Sequence, residues 1–526
     1  MMMFLGGIAK PIRPIEGKDS VFFNILGNYC YRLDKKLSCS ENLQHDEMQG
    51  DTGVSKTNSG GSMMNSKKLI TYEHIKACDT ETPITLYSKY VRNEMGFLLE
   101  SKEQPKGRYS FMACNPDKVI KAYGNKVEIL TNDEVIISEG RALDIVKREI
   151  DDYDVDNKTD LPFVGGAVGS VGYDMIRQYE DIPLLNPDEL QTPDLHLMFV
   201  TEIVAYDHFF NQLHIVVLEE ATDSGAKKAQ KRIEGIEEKL RRDFKLEENK
   251  IEEELNFKSN ISQETYENAV IKAKEYIYEG DIFQVVLSQR WSATCTTSPF
   301  KLYRKLRRMN PSPYMFYFNF QTYYIVGSSP EMLVEMKGNH IKNCPIAGTR
   351  KRGITPIEDD ALAKDLLVDE KERAEHNMLV DLGRNDMGKI AKIGSVEVTS
   401  YMEVQKYSHV MHLVSLVEGE KDEDKDMFEV LMSFLPAGTL SGAPKIRAME
   451  IIEELEVTKR GIYGGAIGYF GYNKNMDMCI AIRTMVIKDS KVYIQAGAGI
   501  VADSDPTKEY EETRNKAEAQ IRAIHV

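Results

Sequence analysis

The chain has 526 residues, of which 42% are hydrophobic and 29% charged, with a formal net charge of −16 at pH 7. This composition is ordinary for a soluble protein, and the length allows three or four domains or one unusually large body. The acidity argues against nucleic acid or an anionic membrane as the main partner, and no apolar run reaches the ~20 residues of a membrane span. Seven scattered cysteines without a CxxC pair favour reduced thiols, so we expect a cytoplasmic protein.

Changes in composition divide the chain into four parts. Residues 1–66 are rich in Ser, Asn and Gly, which predicts a disordered N-terminal extension. Residues 67–221 mix helical and strand patterns, and residues 222–259 form a charge-laced, solvent-facing helical connector. Residues 260–526 start with a helix that ends at Gly280 and continue with apolar strands, helices and hairpins.

One glycine-rich stretch occurs twice. GGAVGSVGYD at 165–174 resembles GGAIGYFGYN at 464–473. The pair fits two related sheets in one large α+β body, each with a glycine-rich strand that another backbone approaches closely. A nucleotide-binding loop is the alternative, but the acidic residue of a dinucleotide fold and a GxxxxGK[ST] motif are missing. We therefore favour the structural interpretation.

Two predicted helices carry carboxylates on one face. In residues 369–386, Glu372 and Glu375 continue into Leu379 and Leu382 at helical spacing, so the carboxylates share the apolar side. The second helix begins in DSDPTKEYEETRNKAEAQ at 503–520, with an Asp-Pro start typical of a helix N-terminus. Its corresponding face consists of Glu509, Glu512, Lys516 and Ala519. Such paired oxygen ligands suit Mg²⁺, and solvated acidic helices are the alternative.

Three further features point to anion binding or catalysis. Arg483 lies in the apolar run MCIAIRTMVI at 478–487, read as one strand, where it needs an anionic ligand or a structural salt bridge. Gly497-Ala498-Gly499 follows the next strand and either holds a carboxylate through backbone N–H groups or makes a plain turn. His412 shares one face of a predicted strand with valines, a pattern that favours a core histidine.

The sequence closely resembles the component I family of anthranilate synthases, within the chorismate-utilising enzymes, over about residues 69–526. The resemblance is carried by GFLLES (96–101), GDIFQVVLSQR (280–290), NPSPYMFY (310–317), GSSPEMLV (327–334), PIAGTRKRG (345–353), AEHNMLVDLGRND (374–386), PAGTLSGAPK (436–445) and QAGAGIVADSDPTKEYEET (495–513). It implies an α+β fold in which two β-sheets pack as a sandwich with helices around it. The active site is expected in the cleft between the two halves.

The resemblance also implies a reaction and a set of site residues. The family converts chorismate and ammonia to anthranilate and pyruvate with Mg²⁺, the first committed step of tryptophan biosynthesis. The implied metal ligands are Glu375 and Glu512, supported by Glu372 and Glu509. The implied chorismate contacts are Gly348, Thr349, Tyr463, Arg483, Gly497, Ala498 and Gly499. The implied catalytic residues are His412, Lys516 and Thr439.

Two positions separate this sequence from sibling enzymes. Related aminodeoxychorismate synthases commonly carry lysine where this chain has Ala347, and isochorismate synthases usually carry lysine where it has Gln284. Ammonia is therefore the expected nucleophile, and a separate glutamine amidotransferase subunit is the expected source, since no glutaminase nucleophile block is recognisable. An aminodeoxychorismate synthase and a non-catalytic tryptophan-sensing subunit are the rival interpretations.

The resemblance extends to a feedback site for tryptophan. The matching effector residues are Ser101, Pro313, Tyr314 and Met315. Strand and turn packing is the alternative for each motif alone, but the presence of both favours regulation.

Overall fold

The computed structural model describes residues 66–101, 107–244, 255–407 and 410–525. The predicted disordered extension, apart from its last residue, lies outside the described residues. The α-helices are α1 (Pro83–Tyr90), α2 (Ala142–Asp151), α3 (Asp223–Leu240), α4 (Gln263–Glu279), α5 (Pro299–Met309), α6 (Pro356–Val368), α7 (Glu370–Gly388), α8 (Met427–Phe434), α9 (Lys445–Leu455) and α10 (Pro506–His525), with a 3₁₀ helix at Tyr173–Gln178. None of these helices is long and apolar enough to cross a membrane.

The strands form two large sheets. In chain order they are β1 (Lys67–Ala77), β2 (Gly96–Glu100), β3 (Tyr109–Cys114), β4 (Lys118–Tyr123), β5 (Lys126–Thr131), β6 (Val135–Glu139), β7 (Tyr153–Asp156), β8 (Gly166–Val171), β9 (Leu195–Val200), β10 (Glu202–Asp207), β11 (Gln212–Glu220), β12 (Lys258–Ser259), β13 (Gln284–Thr294), β14 (Tyr314–Asn319), β15 (Tyr324–Ser329), β16 (Met332–Lys337), β17 (His340–Asn343), β18 (Ile346–Lys351), β19 (Glu397–Lys406), β20 (Val410–Glu420), β21 (Gly442–Ala443), β22 (Ala466–Gly471), β23 (Met476–Ile480), β24 (Thr484–Lys488) and β25 (Lys491–Ile500).

The first sheet has thirteen strands in the order β12-β13-β25-β24-β15-β14-β2-β3-β10-β11-β1-β7, with β21 beside β13. The second has twelve, in the order β18-β20-β17-β16-β23-β22-β8-β9-β4-β5-β6, with β19 beside β20. Both sheets are antiparallel throughout the described strands except for the parallel pair β1–β7. Each sheet takes strands from residues 67–221 and from residues 260–526. The predicted α+β fold with two sheets and surrounding helices is confirmed.

Side chains of the first sheet point alternately to its two faces, so this sheet contributes to two hydrophobic cores. On β2, Phe97 belongs to the core shared with the second sheet, which also contains residues such as Phe470. The next residue, Leu98, belongs to a separate core with residues of α1, α3, α5 and α10. Successive side chains of a strand point to opposite faces, so helices cover the side that the second sheet leaves open. The helix α10, which carries two of the predicted ligands, is thereby fixed to the outer face.

The two glycine-rich stretches correct one prediction. They form β8 and β22, which are neighbours in the second sheet, with Gly468 opposite Gly169. They do not belong to two separate sheets. The close backbone approach is confirmed, because a Cβ on Gly169 would lie 2.0 Å from the carbonyl oxygen of His196.

The apolar run at 478–487 also differs from its prediction. It is split into β23 of the second sheet and β24 of the first, so the chain crosses between the sheets at residues 481–483. Arg483 has φ 51°, in the left-handed region, and no longer alternates with its neighbours as in one strand. The sequence does not reveal where β23 ends and β24 begins, because both strands are buried and their residues form one continuous apolar run. The crossing takes Arg483 out of a strand and into the cleft.

Local helix signals are confirmed where the capping residues are explicit. The Ser262 side chain accepts a hydrogen bond from the Thr265 N–H at 3.1 Å, and Gly280 ends α4 with φ 84°. The charged segment after residue 222 forms α3, as predicted, but only one side faces solvent. Its other side, which includes Ile233 and Ile236, is buried. Residues 245–254 lie outside the described residues.

Candidate active site

Two helices bring the predicted carboxylates to one cleft. The Asp369 side chain caps α7 by accepting hydrogen bonds from the N–H groups of Lys371 and Glu372, at 3.0 and 3.1 Å. The Asp505 side chain accepts from the Lys508 N–H at 3.0 Å at the start of α10. The helix α10 therefore begins at the Asp-Pro start that the sequence indicates, and α7 also begins at an aspartate. Their first turns carry Glu372 and Glu509.

The carboxylates are close enough to disfavour one another's charge. Desolvation raises the pKa of Glu375, and the charges of Glu372 and Glu512 raise it further. Burial also raises the pKa of Glu509, with a further contribution from Glu512. Among the described residues, no three His, Cys, Asp or Glu side chains are grouped tightly enough to enclose a metal ion. A cluster of oxygen donors with excess negative charge nevertheless has the chemistry that Mg²⁺ prefers.

The predicted face of α10 is shifted. Its buried stripe consists of residues such as Thr513, Ala517 and Gln520, whereas Glu512 and Ala519 are exposed. Glu512 therefore lies at the flank of the helix, where its Oε1 is 2.8 Å from Lys516 Nζ. The prediction that Glu512 and Ala519 lie on the inward face of this helix was wrong, because the buried stripe is displaced by one residue.

Lys516 links α10 to the glycine-rich strand. Its Nζ donates to the Gly497 carbonyl oxygen at 3.0 Å. The Gly497-Ala498-Gly499 segment is not a strand-end turn, because β25 continues through it to Ile500 while pairing with β13. The other neighbour, β24, pairs with β25 only over residues 491–494. The backbone edge of the glycine-rich half is thereby open toward Lys516.

Arg483 lies next to this open edge. Its Nη1 donates to the Lys516 carbonyl oxygen at 3.3 Å, and it forms no salt bridge with a carboxylate of the described residues. Burial lowers the pKa of its guanidinium, while the Tyr463 phenol acts in the opposite direction. A cation held this way lacks a compensating anion, which is a feature of a site for an acidic ligand.

Tyr463 connects the cleft to a buried ion pair. A Cβ on Gly497 would lie 3.0 Å from the Tyr463 hydroxyl, so the glycine leaves room for this ring. The Arg460 guanidinium lies 5.6 Å from the centre of the Tyr463 ring. Arg460 is in turn paired with Glu456, and both are buried.

His412 is held in one orientation by β18. Its Nδ1 is 2.8 Å from the Gly348 carbonyl oxygen and 3.1 Å from Thr349 Oγ1. Burial is the main cause that lowers the pKa of His412, with a smaller contribution from Arg483. Because a carbonyl oxygen only accepts, the neutral ring carries its proton on Nδ1. The Nε2 lone pair is left available as a proton acceptor.

Gly348 brings the same strand to the carboxylates. It has φ 68°, and a Cβ there would lie 3.0 Å from Glu372 Oε2 and from a Leu366 methyl group. A larger residue would suffer both backbone strain and crowding. Arg350, which was not predicted, donates to Glu372 Oε1 at 3.2 Å and also pairs with Asp365 and Asp369. It holds the start of α7 against β18.

Glu331 is the most important residue that sequence reasoning missed. Thr439 Oγ1, a predicted site residue, donates to Glu331 Oε1 at 3.0 Å. Desolvation raises the pKa of Glu331 to about 7, with Thr439 and Lys516 acting against it. The residue stands in SSPEML, where a glutamate after a strand and a proline has no periodic pattern to mark it. Only the distance to Thr439 reveals its place in the cleft.

The predicted effector residues come together at one end of the pair β2–β14. Met315 lies opposite Glu100, which brings Ser101 next to Tyr314 in the antiparallel register. Ser101 Oγ is buried and has no hydrogen-bond partner among the described residues, and the Tyr314 hydroxyl donates to Asp477 Oδ1 at 2.9 Å. Pro313 directly precedes this strand.

Comparisons with known proteins point to one family. The family described as chorismate binding enzyme matches residues 95–522. Anthranilate synthase component 1 of Acetivibrio thermocellus is 51% identical over 460 residues, covering 85% of this chain and 93% of that protein. The Aquifex aeolicus protein of the same name is 45% identical over 463 residues, again covering 85% and 93%.

Solved structures give the same result. Anthranilate synthase component I from Streptococcus pneumoniae TIGR4 superposes with a TM-score of 0.72 at 43% identity, covering 80% of this chain and 93% of that one. MenF, the menaquinone-specific isochorismate synthase from Escherichia coli, has a TM-score of 0.68 at 17% identity, covering 88% and 95%. At this identity the second likeness concerns the fold alone.

Proposed function

The chain belongs to the chorismate-binding enzymes, and on that premise we propose that it is the large component of an anthranilate synthase. The reaction converts chorismate and ammonia to anthranilate, pyruvate and water. The observation that carries the proposal is Arg483, a half-buried guanidinium without a carboxylate partner among the described residues. It lies near a cluster of four carboxylates that carries excess negative charge. A carboxylate of the substrate supplies the anion that Arg483 lacks, and a divalent cation supplies the positive charge that the carboxylates lack.

Chorismate binding is assigned to the open edge of β25 and to β18. One carboxylate of chorismate pairs with Arg483, and backbone N–H groups of the glycine-rich edge add neutral donors. The Tyr463 hydroxyl and Lys516 flank this position. Gly348 and Thr349 are proposed as further contacts, on the strand that packs closely against Glu372.

Mg²⁺ is proposed to be bound by Glu375 and Glu512, with Glu372 and Glu509 in support. The raised pKa of Glu375 supports this, because a cation relieves the repulsion that disfavours its charged form. When bound, Mg²⁺ supplies positive charge to hold the ring carboxylate of chorismate and to assist departure of the C4 hydroxyl. Lys516 neutralises Glu512 on its outer side and keeps α10 in contact with β25.

Two side chains suit the proton transfers. Loss of the C4 hydroxyl as water requires a proton, and a carboxyl group with a pKa of about 7 can donate one at neutral pH, which favours Glu331 as the acid. Thr439 orients the Glu331 carboxyl through its 3.0 Å hydrogen bond. His412, neutral and with Nε2 free of its proton, suits the acceptance of a proton from the ring.

Ammonia supply and regulation complete the proposal. The relatives are named component 1, and a glutamine amidotransferase is proposed as the second component that releases ammonia from glutamine.

Tryptophan is proposed as a feedback inhibitor bound near Ser101, Tyr314 and Met315. The Ser101 hydroxyl is buried and has no hydrogen-bond partner among the described residues, which supports this, since a ligand would supply a hydrogen bond.

The decisive experiment mixes the purified full-length chain with chorismate, MgCl₂ and an ammonium salt, and follows anthranilate by fluorescence and the products by mass. Glu512→Gln should abolish turnover, whereas Glu511→Gln, a matched change on the exposed side of the same helix, should not. Formation of aminodeoxychorismate or isochorismate in place of anthranilate would overturn the proposal.

A further inference from the structure

A bulge in β19 contacts α7 at the turn that carries Glu375. The register between β19 and β20 shifts over residues 400–403, so that two residues of β19, Tyr401 and Met402, stand opposite the single residue Ser415 of β20. We call these two residues the β19 bulge. Bulges bend a strand and are frequent next to active sites, where they aim a side chain in a new direction.

The β19 bulge has a strained backbone. Met402 has φ 53°, in the left-handed region that residues other than glycine rarely adopt, and its side chain is buried. The Met402 N–H donates to Ser415 Oγ at 2.9 Å. Backbone strain persists only where the surrounding contacts impose it, and it is concentrated at functional sites. The Ser415 hydroxyl is one of the contacts that impose it here.

The same hydroxyl holds α7. His376 Nε2 lies 2.7 Å from Ser415 Oγ, and both residues are completely buried. The next residue of the helix, Asn377, accepts a hydrogen bond on its Oδ1 from the Tyr401 hydroxyl. The helix α7 is therefore bonded to β20 and to the β19 bulge through two consecutive residues, and the first of them directly follows Glu375.

The buried histidine costs more than an apolar residue would. Burial lowers the pKa of His376 to about 4, so its ring is neutral at pH 7. Its second nitrogen, Nδ1, is buried and has no hydrogen-bond partner among the described residues. An apolar side chain would fill the same position without an unpaired polar atom. What the histidine adds is a hydrogen bond with a preferred direction, which restricts the rotation of α7 about its axis.

The rotation of α7 matters because this turn carries two proposed metal ligands. Glu375 and Glu372 come one and four residues before His376. Mg²⁺ requires nearly ideal octahedral geometry, so a small rotation that displaces Glu375 weakens its binding. Replacing a residue that orients a metal ligand typically reduces metal affinity or activity by roughly 10- to 100-fold.

We propose that His376 and Ser415, with the β19 bulge, are positioning residues for Mg²⁺: they set the rotation of α7 at which Glu375 meets the carboxylates of α10. The inference rests on the proposed function and deepens its metal site. Neither His376 nor Ser415 is among the proposed contacts with chorismate or the metal. Their effect reaches the metal through α7.

The test measures Mg²⁺ binding to the purified full-length chain by isothermal titration calorimetry, without substrate. Ser415→Ala and His376→Leu should each raise the Kd for Mg²⁺ by about tenfold. His376→Gln should recover most of the lost affinity, because the glutamine amide can still form a hydrogen bond with Ser415 Oγ.

Ser433→Ala is the matched control. The Ser433 hydroxyl donates to the Asp386 carbonyl oxygen, so it also anchors α7 by one hydrogen bond. Asp386 lies eleven residues beyond Glu375, which is about 16 Å along the helix axis. Ser433→Ala should therefore lower the melting temperature without changing the Kd for Mg²⁺.

A second variant keeps the test decisive if the buried variants do not fold. Tyr401→Phe removes only a hydroxyl from an exposed side chain of the β19 bulge, together with its hydrogen bond to Asn377. It should raise the Kd for Mg²⁺ by a smaller factor than Ser415→Ala, with an unchanged circular dichroism spectrum. An unchanged Kd in Tyr401→Phe, when the buried variants are unfolded, overturns the inference.

The outcomes separate this inference from the proposed function. If the wild-type chain binds Mg²⁺ but makes no anthranilate from chorismate and an ammonium salt, the proposed function fails, and the Kd values alone decide the positioning role. If the wild-type chain binds no Mg²⁺, the metal assignment fails and the inference fails with it.

Two results with folded variants would also overturn the inference. The first is a lower melting temperature with an unchanged Kd in Ser415→Ala and His376→Leu, since the hydrogen bond would then be only structural. The second is a Kd that Ser433→Ala raises as much as Ser415→Ala, or that His376→Gln does not restore, since general loosening of α7 would then explain the loss of affinity.

Discussion

Replacing Arg460 with methionine should destabilise the protein by about 3–5 kcal/mol, because the change leaves Glu456 as an uncompensated buried charge. Arg460 is 2% exposed and Glu456 9%. The guanidinium donates to Glu456 Oε2 at 2.9 Å and to the carbonyl oxygens of Leu440 and Val286 at 2.6 and 2.7 Å. A methionine fills much of the same volume but satisfies none of these three acceptors.

Urea unfolding followed by circular dichroism measures the loss. The double variant Arg460→Met/Glu456→Gln should recover most of it, since replacing both members of a buried pair is often neutral. The glutamine oxygen can still accept from the Ser288 N–H, now 2.8 Å from Glu456 Oε1. Arg384→Met, which breaks an exposed pair with Asp381, should cost less than about 1 kcal/mol.

The same substitution has a functional consequence. The Arg460 guanidinium lies against the Tyr463 ring, so Arg460→Met should also raise the KM for chorismate under conditions where the variant is folded. A single variant that loses less than about 1 kcal/mol, or a double variant that is less stable than the single one, would refute the reasoning.

Three further outcomes are expected. Glu375→Gln should lower anthranilate formation by at least about 100-fold without lowering the melting temperature, because it removes a proposed metal ligand and also a repulsive charge; near-normal turnover would contradict the metal assignment. Ser101→Ala should raise the tryptophan concentration needed for half inhibition more than it changes uninhibited activity, and an unchanged inhibition curve would exclude Ser101 from the effector site. The isolated chain should use ammonium salts but not glutamine, with a rate that increases across roughly pH 7–9 as ammonia loses its proton.

The parts of the site that sequence predicts are those fixed by local signals. Asp505 begins α10 and Gly280 ends α4 because a capping side chain or a left-handed glycine decides a helix end within a few residues. Glu372 and Glu375 fall on the cleft side of α7 because helical periodicity keeps them in line with Leu379. Such features depend on the residues nearest in sequence.

The features of the fold and the site that the sequence does not predict depend on contacts between segments far apart in the chain. The break at Arg483 separates strands of two different sheets, yet both strands are apolar and read as one run. The two glycine-rich stretches look like equivalent strands of separate sheets, and only pairing shows Gly169 opposite Gly468. Glu331 gains its importance from desolvation and from Thr439, more than 100 residues away. Neither the hydrophobic periodicity nor the spacing of residues in the sequence predicts contacts between residues so far apart in the chain.

Glu331 also predicts how stability depends on pH. A shift of its pKa from 4.5 to about 7 corresponds to about 3 kcal/mol of differential interaction between its two protonation states. Because the folded-state pKa is raised, this contribution is fully present below about pH 4.5 and is lost as the pH rises through about 7. Glu331→Gln removes the titration but keeps an acceptor for Thr439, so the variant should gain stability relative to wild type at pH 8 and little at pH 5. Thermal unfolding in EDTA at the two pH values measures this, with Glu511→Gln as the exposed control. An equal difference between variant and wild type at both values would mean that Glu331 is not held in its protonated form by desolvation, and its proposed role as the acid would lose its physical basis.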